Sequence, residues 1–353
     1  MAVVTIIIGL LALSVLVFAH ELGHFITAKA SRVKVEEFGI GYPPRLLSIR
    51  RGETLYSLNA VPFGGFTKMA GEEDPGVERS LASKGRGTRL LVLSAGAIMN
   101  LLLPVLLLSI ALMVPHNVVS GQVTIVEVLP NSPAASAGIA AGDTLLTING
   151  KAIRNIGDLH RHAQSNLGNE ISVTIGRSDQ SIEEFRLIPR WKPPEGQGAI
   201  GIYTKTLNPT FTRESLPFWR AIPAGAVDSI EMFVLYKNGI ISLIIGAIPV
   251  QMAGPVGIVQ VTGEVARAGI SPLLEIIAVI SMAIGITQLI PLPALDGGRI
   301  AFVLLEWVRR GKRISPKREG LVHLVGFVVL MGFMLAITYQ DIIRIISGES
   351  LIP

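Results

Sequence analysis

The sequence predicts a multi-pass α-helical membrane protein with about four transmembrane helices, a membrane-associated β-hairpin-like loop and one inserted extracytoplasmic β domain. Three observations carry that expectation. Half of the 353 residues are hydrophobic and only 16% are charged, and the mean hydropathy is +0.54, the profile of a chain that meets lipid over much of its surface. Residues 90–114, 276–295 and 324–340 carry no charged side chain, and residues 1–28 carry only His20, Glu21 and His24 as ionisable groups. Each run is long enough for a helix to cross a hydrocarbon core of about 30 Å at about 1.5 Å per residue. Between the second and third runs the texture changes to alternating apolar and polar residues broken by turn formers.

Taken in order, residues 1–28 have no basic segment before their first positive charge at Lys29, so they read as a retained span rather than a cleavable signal peptide. A loop over 29–89 follows, rich in Lys and Arg, and then a second span over 90–115. Within 121–190, Val123, Ile125 and Val128, then Leu145 and Ile148, then Ile171, Val173 and Ile175 alternate as strands around a short helix near Leu159 to Ala163. Residues 191–270 are expected to be a linker and an interfacial amphipathic segment containing Phe218 and Trp219. A third span covers 271–297, a basic loop 298–320 and a fourth span 321–343. The stretch 238–263 is also uncharged, but Pro249, Gln251, Gly254 and Pro255 interrupt it. A full crossing there would put the basic loops on opposite sides, whereas the bias of Lys and Arg places both in the cytoplasm. The stretch is therefore expected to be interfacial or half-inserted, with the β domain outside.

The formal charge of +5 and a pI near 9.6 fit this orientation better than a nucleic-acid partner, because the basic residues cluster in the two loops beside the spans. Cysteine is absent, which excludes disulfides and thiolate metal sites.

The costliest feature is HELGH, residues 20–24, inside the first span. His20 and His24 stand one helical turn apart, so both imidazoles can reach one zinc ion, with Glu21 beside the water to be activated. A structural metal or a helix-packing pair is the alternative; ionisable groups inside a span normally serve a function or find a partner. Such a site needs a third protein ligand. Asp296, in LIPLPALDGGR at the inner end of the third span, matches the depth of the histidines, and Pro291, Pro293, Gly297 and Gly298 would open the helix there. Read alone, LDGG is a helix stop and turn. His323 is a further possible ligand or an interfacial residue. Asn100 in the second span would hold the substrate backbone or a loop, or bond to a neighbouring helix.

Two resemblances follow from these residues. SPAASAGI followed by GD and ING resembles a bacterial PDZ domain, which implies a peptide groove at Gly121 to Val123 that adds an extended or carboxy-terminal segment to a sheet edge; a structural β domain without ligand is the alternative. FAHELGHF, LDGG, GAIMN and VPFGGFTKMAGE together resemble the site-2 protease family, specifically its RseP-type bacterial zinc metalloproteases, over nearly the whole chain.

The family resemblance implies that His20, His24 and Asp296 bind Zn2+, that Glu21 is the catalytic acid/base, and that the substrate is the membrane span of a single-pass protein, such as an anti-sigma factor or a remnant signal peptide. It places the enzyme in a bacterial inner membrane with the active site near the cytoplasmic side. It also implies that Gly39 to Met69 dips into the membrane from the cytoplasm as a hairpin-like loop beside the active site; the alternation in ETLYSLNAVPFGG fits a strand there, whose edge, at Leu58 and Asn59, would pair with unwound substrate. Gln288, expected by this resemblance among the substrate-binding residues, stands where the NxxPxxxLDG motif of the family has asparagine. The PDZ-like domain, with Phe218 and Trp219, would stand over the outer entrance as a size filter, or would instead recruit substrate by gripping a newly exposed carboxyl terminus. A membrane PDZ receptor or scaffold with a structural metal is the competing function, and a zinc hydrolase acting on lipid is a further one.

Overall fold

A computed structural model describes residues 2–72, 74–248 and 253–347. Helix α1 (Ala2–Ala30) leads into two long strands, β1 (Val35–Arg51) and β2 (Thr54–Met69), and then α2 (Arg86–Met113). There follow β3 (His116–Val128), α3 (Pro133–Ala137), β4 (Thr144–Ile148), β5 (Lys151–Ala152), α4 (Ile156–Ser165), β6 (Ile171–Gly176), β7 (Ile182–Leu187) and β8 (Ile202–Glu214). Helices α5 (Phe218–Ile244), α6 (Pro255–Val265), α7 (Ile270–Leu289), α8 (Asp296–Val308) and α9 (Pro316–Ser347) complete the chain. Two compact units result, one from Met1–Ala111 with Met252–Pro353, the other from Leu112–Gln251.

In the first unit, α1, α2, α7 and α9 are long and apolar enough to cross a membrane. Their outward faces are apolar: Val4, Leu11, Val15, Val328, Val329 and Leu335 are all exposed. In water that surface would drive aggregation, whereas lipid accepts it because helices satisfy their own backbone groups. Polar residues turn inward, as Asp341 of α9 does: it is fully buried, and its Oδ2 accepts from the Gly257 amide at 2.8 Å, capping the start of α6. Asp341 also pairs with Arg344. The interruption expected within 238–263 lies between α5 and α6, and Pro249 and Gln251 fall outside the described residues.

The hairpin pairs with itself twice. Phe38 lies opposite both Thr67 and Tyr56, and Gly39 opposite both Phe66 and Ser57, while Ser48 and Ile49 lie opposite Ser57 and Tyr56. The two bent strands thus make four rows, in the order 65–69, 35–40, 54–59 and 45–51. This corrects the expected edge at Leu58 and Asn59, which are in an inner row. Asn59 is buried, and its Nδ2 donates to the carbonyls of Ile40 and Gly41, fixing the bend of β1. The free rows are 45–51, with Leu46, Leu47 and Ile49 exposed, and 65–69.

The second unit is an antiparallel sheet in the order β7-β6-β4-β3-β8, with β5 on β4. Val123, Ile125, Ile148, Ile171, Val173 and Ile175 point alternately into its core. Ser132 caps α3 by accepting from Ala135 N, with Pro133 in the first turn, and Gly138 ends it at φ 85°. The sheet exceeds the expected 121–190 on both sides, because β8 lies in the stretch read as linker and pairs with β3 from His116 to Val128. A second correction follows. Val123 pairs with Leu145 on one side and Thr206 on the other, and its side chain is fully buried, so Gly121 to Val123 offers no free edge. That edge belongs to β8. Helix α5 packs on α4, where Asn238 Nδ2 donates to the carbonyls of Gln164 and Ser165.

Candidate active site

The site is built in the first unit. HELGH falls in the last third of α1, and the helical repeat puts His20 and His24 on one face, with ring centroids 4.8 Å apart. Helix α2 lies against that face. His24 Nδ1 donates to the Val92 carbonyl at 2.7 Å, which leaves a lone pair on Nε2. One turn on, α2 presents Gly96. A Cβ there would lie 2.7 Å from His20 Nε2 and closer still to His24 Nε2, so no side chain fits beneath the two rings.

Asp296 arrives from 272 positions further along the chain than His24, through a broken helix. Helix α7 ends at Leu289, Pro291 and Pro293 cannot continue it, and Ala294 turns the chain at φ 76°. Asp296 then opens α8, where a carboxylate is favoured by the helix dipole. Its amide donates to Gln288 Oε1 at 3.5 Å, and the Ala294 amide donates to His323 Nδ1 at 3.1 Å. Gly297 and Gly298 let the start of α8 press on the loop: a Cβ on either would overlap the carbonyl of Ile290 or Leu292.

These elements bring three donor atoms together. Asp296 Oδ2 lies 3.0 Å from both His20 Nε2 and His24 Nε2, and the two nitrogens are 3.2 Å apart. A tetrahedral zinc with bonds of about 2.0–2.1 Å separates its ligands by about 3.3 Å, so the two-nitrogen, one-oxygen set fits that ion, and the group is the right size for one metal.

The donors form one wall of a cavity of about 700 Å³ that Glu21 and Gln288 also line. Tyr42, Gly65, Phe66 and Thr67 of the hairpin line it as well, as do His323, Leu324 and Phe327 of α9. Thr67 Oγ1 donates to the Glu21 carbonyl at 3.0 Å, tying the hairpin to α1. Arg299 and Glu72 pair on the cavity wall. Of the residues expected to meet substrate, Gln288 is in the cavity. Asn100 is not: it is fully buried behind His20, with Nδ2 3.5 Å from His20 Nδ1. Leu58 and Asn59 are displaced from the site by the 65–69 row, and Gly121 and Val123 belong to the second unit. The family resemblance set the hairpin of Gly39 to Met69 beside the site without singling out Gly65 to Thr67, and sequence reasoning missed Gly96 and the bracing role of His323. The only signal was the Gly-Gly-Phe of VPFGGFTKMAGE, which marks close backbone approach without saying to what.

A cluster of two buried histidines and a half-buried aspartate beside a glutamate, in a bundle of apolar helices, defines a membrane-embedded metallopeptidase. Residues 8–333 match the model of peptidase family M50, and the chain belongs to that family, the site-2 proteases. It is similar to proteins of Clostridium perfringens (36% identical over 96% of this chain and 98% of the relative) and Clostridium acetobutylicum (34% over 97% and 98%), both classed as candidate zinc metalloproteases. It is also similar to the regulator of sigma-W protease RasP of Bacillus subtilis, 26% identical over 98% of this chain and all of the relative. The protein is a zinc metalloprotease of bacterial inner-membrane type.

Proposed function

We propose that this enzyme hydrolyses peptide bonds inside the transmembrane segments of single-pass membrane proteins, with zinc held by His20, His24 and Asp296. The observation that carries the proposal is the meeting of their three donor atoms at 3.0–3.2 Å in the wall of a cavity that Glu21 shares. Zinc, when bound, polarises the scissile carbonyl and makes water nucleophilic near neutral pH. Glu21 takes a proton from the attacking water and passes it to the departing amine as the C–N bond breaks. A substrate helix shields its own peptide groups and must be unwound first. The 65–69 row of the hairpin has a strand partner on one side only and lines the cavity, so it offers backbone donors and acceptors to an extended segment.

The second unit serves as a PDZ-type domain that takes peptide or carboxy-terminal segments along β8 and selects substrates. An anti-sigma factor or a remnant signal peptide is the expected substrate, in keeping with the name of the Bacillus subtilis relative. The basic loops face the cytoplasm and the second unit faces outward, on the argument from Lys and Arg placement. The decisive experiment is Glu21→Gln in membranes with a single-pass substrate. Zinc stays bound and cleavage falls by about 10²–10⁴-fold; undiminished cleavage would mean that Glu21 is not the acid/base.

A further inference from the structure

His20 approaches Asp296 and His24 through Nε2, so its Nδ1 is turned toward α2. There it meets the fully buried amide of Asn100, whose Nδ2 is placed 3.5 Å away. Among the described residues that contact is the one hydrogen bond of the amide, and Oδ1 is buried without a partner. The two ends of an amide have the same shape and are told apart by their partners. With nitrogen toward His20, Nδ1 accepts and the imidazole proton must sit on Nε2, which cannot then ligate zinc. With oxygen toward His20, Oδ1 accepts from Nδ1–H and Nε2 keeps its lone pair. Turning the amide over breaks no other hydrogen bond that holds it.

We infer that Asn100 is a positioning residue for the zinc site: its Oδ1 accepts the Nδ1 proton of His20 and so fixes the ring and its tautomer. Val92, Gly96 and Asn100 are four residues apart and share one face of α2. Along that face the Val92 carbonyl orients His24, Gly96 makes room for both rings, and Asn100 orients His20. Asn100 is held in place by α7, where Ser281 Oγ donates to its backbone carbonyl at 2.8 Å. Acceptors behind ligating histidines raise ligand basicity and pre-set the ring, and their loss typically weakens metal binding about 10–100-fold.

The inference rests on the zinc-ligand assignment above, and its test separates the two. Zinc affinity of the full-length solubilised protein is measured by competition with a chelator in Asn100→Leu, Asn100→Asp and Ser281→Ala. Asn100→Leu, or Asn100→Ala where leucine disturbs packing, weakens zinc binding about 10–100-fold. Asn100→Asp keeps an acceptor at the same place and stays close to the parent protein. Ser281→Ala loosens the backbone that carries the Asn100 amide and weakens zinc binding by less than Asn100→Leu does; a larger loss in Ser281→Ala than in Asn100→Leu would show that helix packing and not the amide governs the site, and would overturn the inference. Parent-like affinity in both Leu and Ala variants overturns the inference, as does an Asp variant as weak as they are. Retained zinc in His20→Ala would instead overturn the ligand assignment itself.

Discussion

His24 donates its Nδ1 proton to the carbonyl of Val92 at 2.7 Å, across 68 positions of sequence. This bond fixes both the face of α2 that meets α1 and the tautomer of a metal-binding histidine, because the proton held on Nδ1 leaves Nε2 bare. The geometry of the metal site is therefore a property of helix packing as much as of the HELGH motif.

The carboxylate of Asp296 completes the donor set at 3.0 Å from both histidines. Asp296→Ala leaves two ligands where zinc needs at least three, and bound zinc should fall from about one per chain to near none. Elemental analysis of purified protein checks this, and full zinc occupancy in the variant would remove Asp296 from the site.

Gly96 lies directly under the two imidazoles. A methyl group there would lie 2.7 Å from His20 Nε2, so Gly96→Ala must push α2 away from α1 or displace the rings. The expected result is a helical, membrane-inserted protein with weakened zinc binding and little cleavage, measured by circular dichroism together with metal titration. Parent-like zinc affinity would show that the helices slide apart at no cost to the site.

Beyond the spans, Glu306 on α8 is buried and accepts from Arg89 at 2.5 Å, with Arg313 at 3.3 Å and Arg86 at 3.5 Å. Burial pushes its carboxyl up, but the hydrogen bond and charge of Arg89, with help from Arg313, outweigh that and hold it below the ordinary carboxylate range. A carboxyl whose pKa is lowered on folding stabilises the protein above its unfolded pKa, and the contribution is lost as pH falls through the folded value. Glu306→Gln keeps a hydrogen-bond acceptor for Arg89 but removes the charge that balances it, leaving a buried cation uncompensated at a cost of up to about 3–5 kcal/mol. The thermal midpoint of the variant should lie below that of the parent at neutral pH, and the gap should close as the pH drops through and below the carboxylate range. Equal midpoints at neutral pH would show that the cluster adds no stability.

Orientation is testable because the chain has no cysteine. Single cysteines at the exposed positions Ser83 and Ser315 should react with an impermeant thiol reagent only once the cytoplasmic side is opened. Labelling of Ser315→Cys in intact cells would mean that the membrane is crossed once more between α2 and α7.

The four apolar helices and the placing of two histidines and a glutamate on one helical turn are legible in the chain alone, because each is a matter of local pattern: a run without charge, a spacing of four. Asp296 is reachable only as an expectation, from its matching depth beside a helix broken by Pro and Gly and from the family resemblance; its meeting with the histidines across 272 positions is a product of packing. Local pattern could not decide which edge of the hairpin is free. Alternation at Leu58 and Asn59 is the same in an inner row as at an edge, and only the refolding of β1 over both halves of β2 put Gly65 to Thr67 at the cavity. It was equally silent on β3, whose alternation looks like an edge strand until β8, some eighty residues on, pairs along it. Asn100 reads as a lone polar residue in an apolar helix, and its place behind His20 arises only when α1, α2 and α7 pack. Which groups meet across a bundle depends on helix rotation and close approach, set by small residues such as Gly96 and Ser281 acting over long separations, and that information exists only in the tertiary structure.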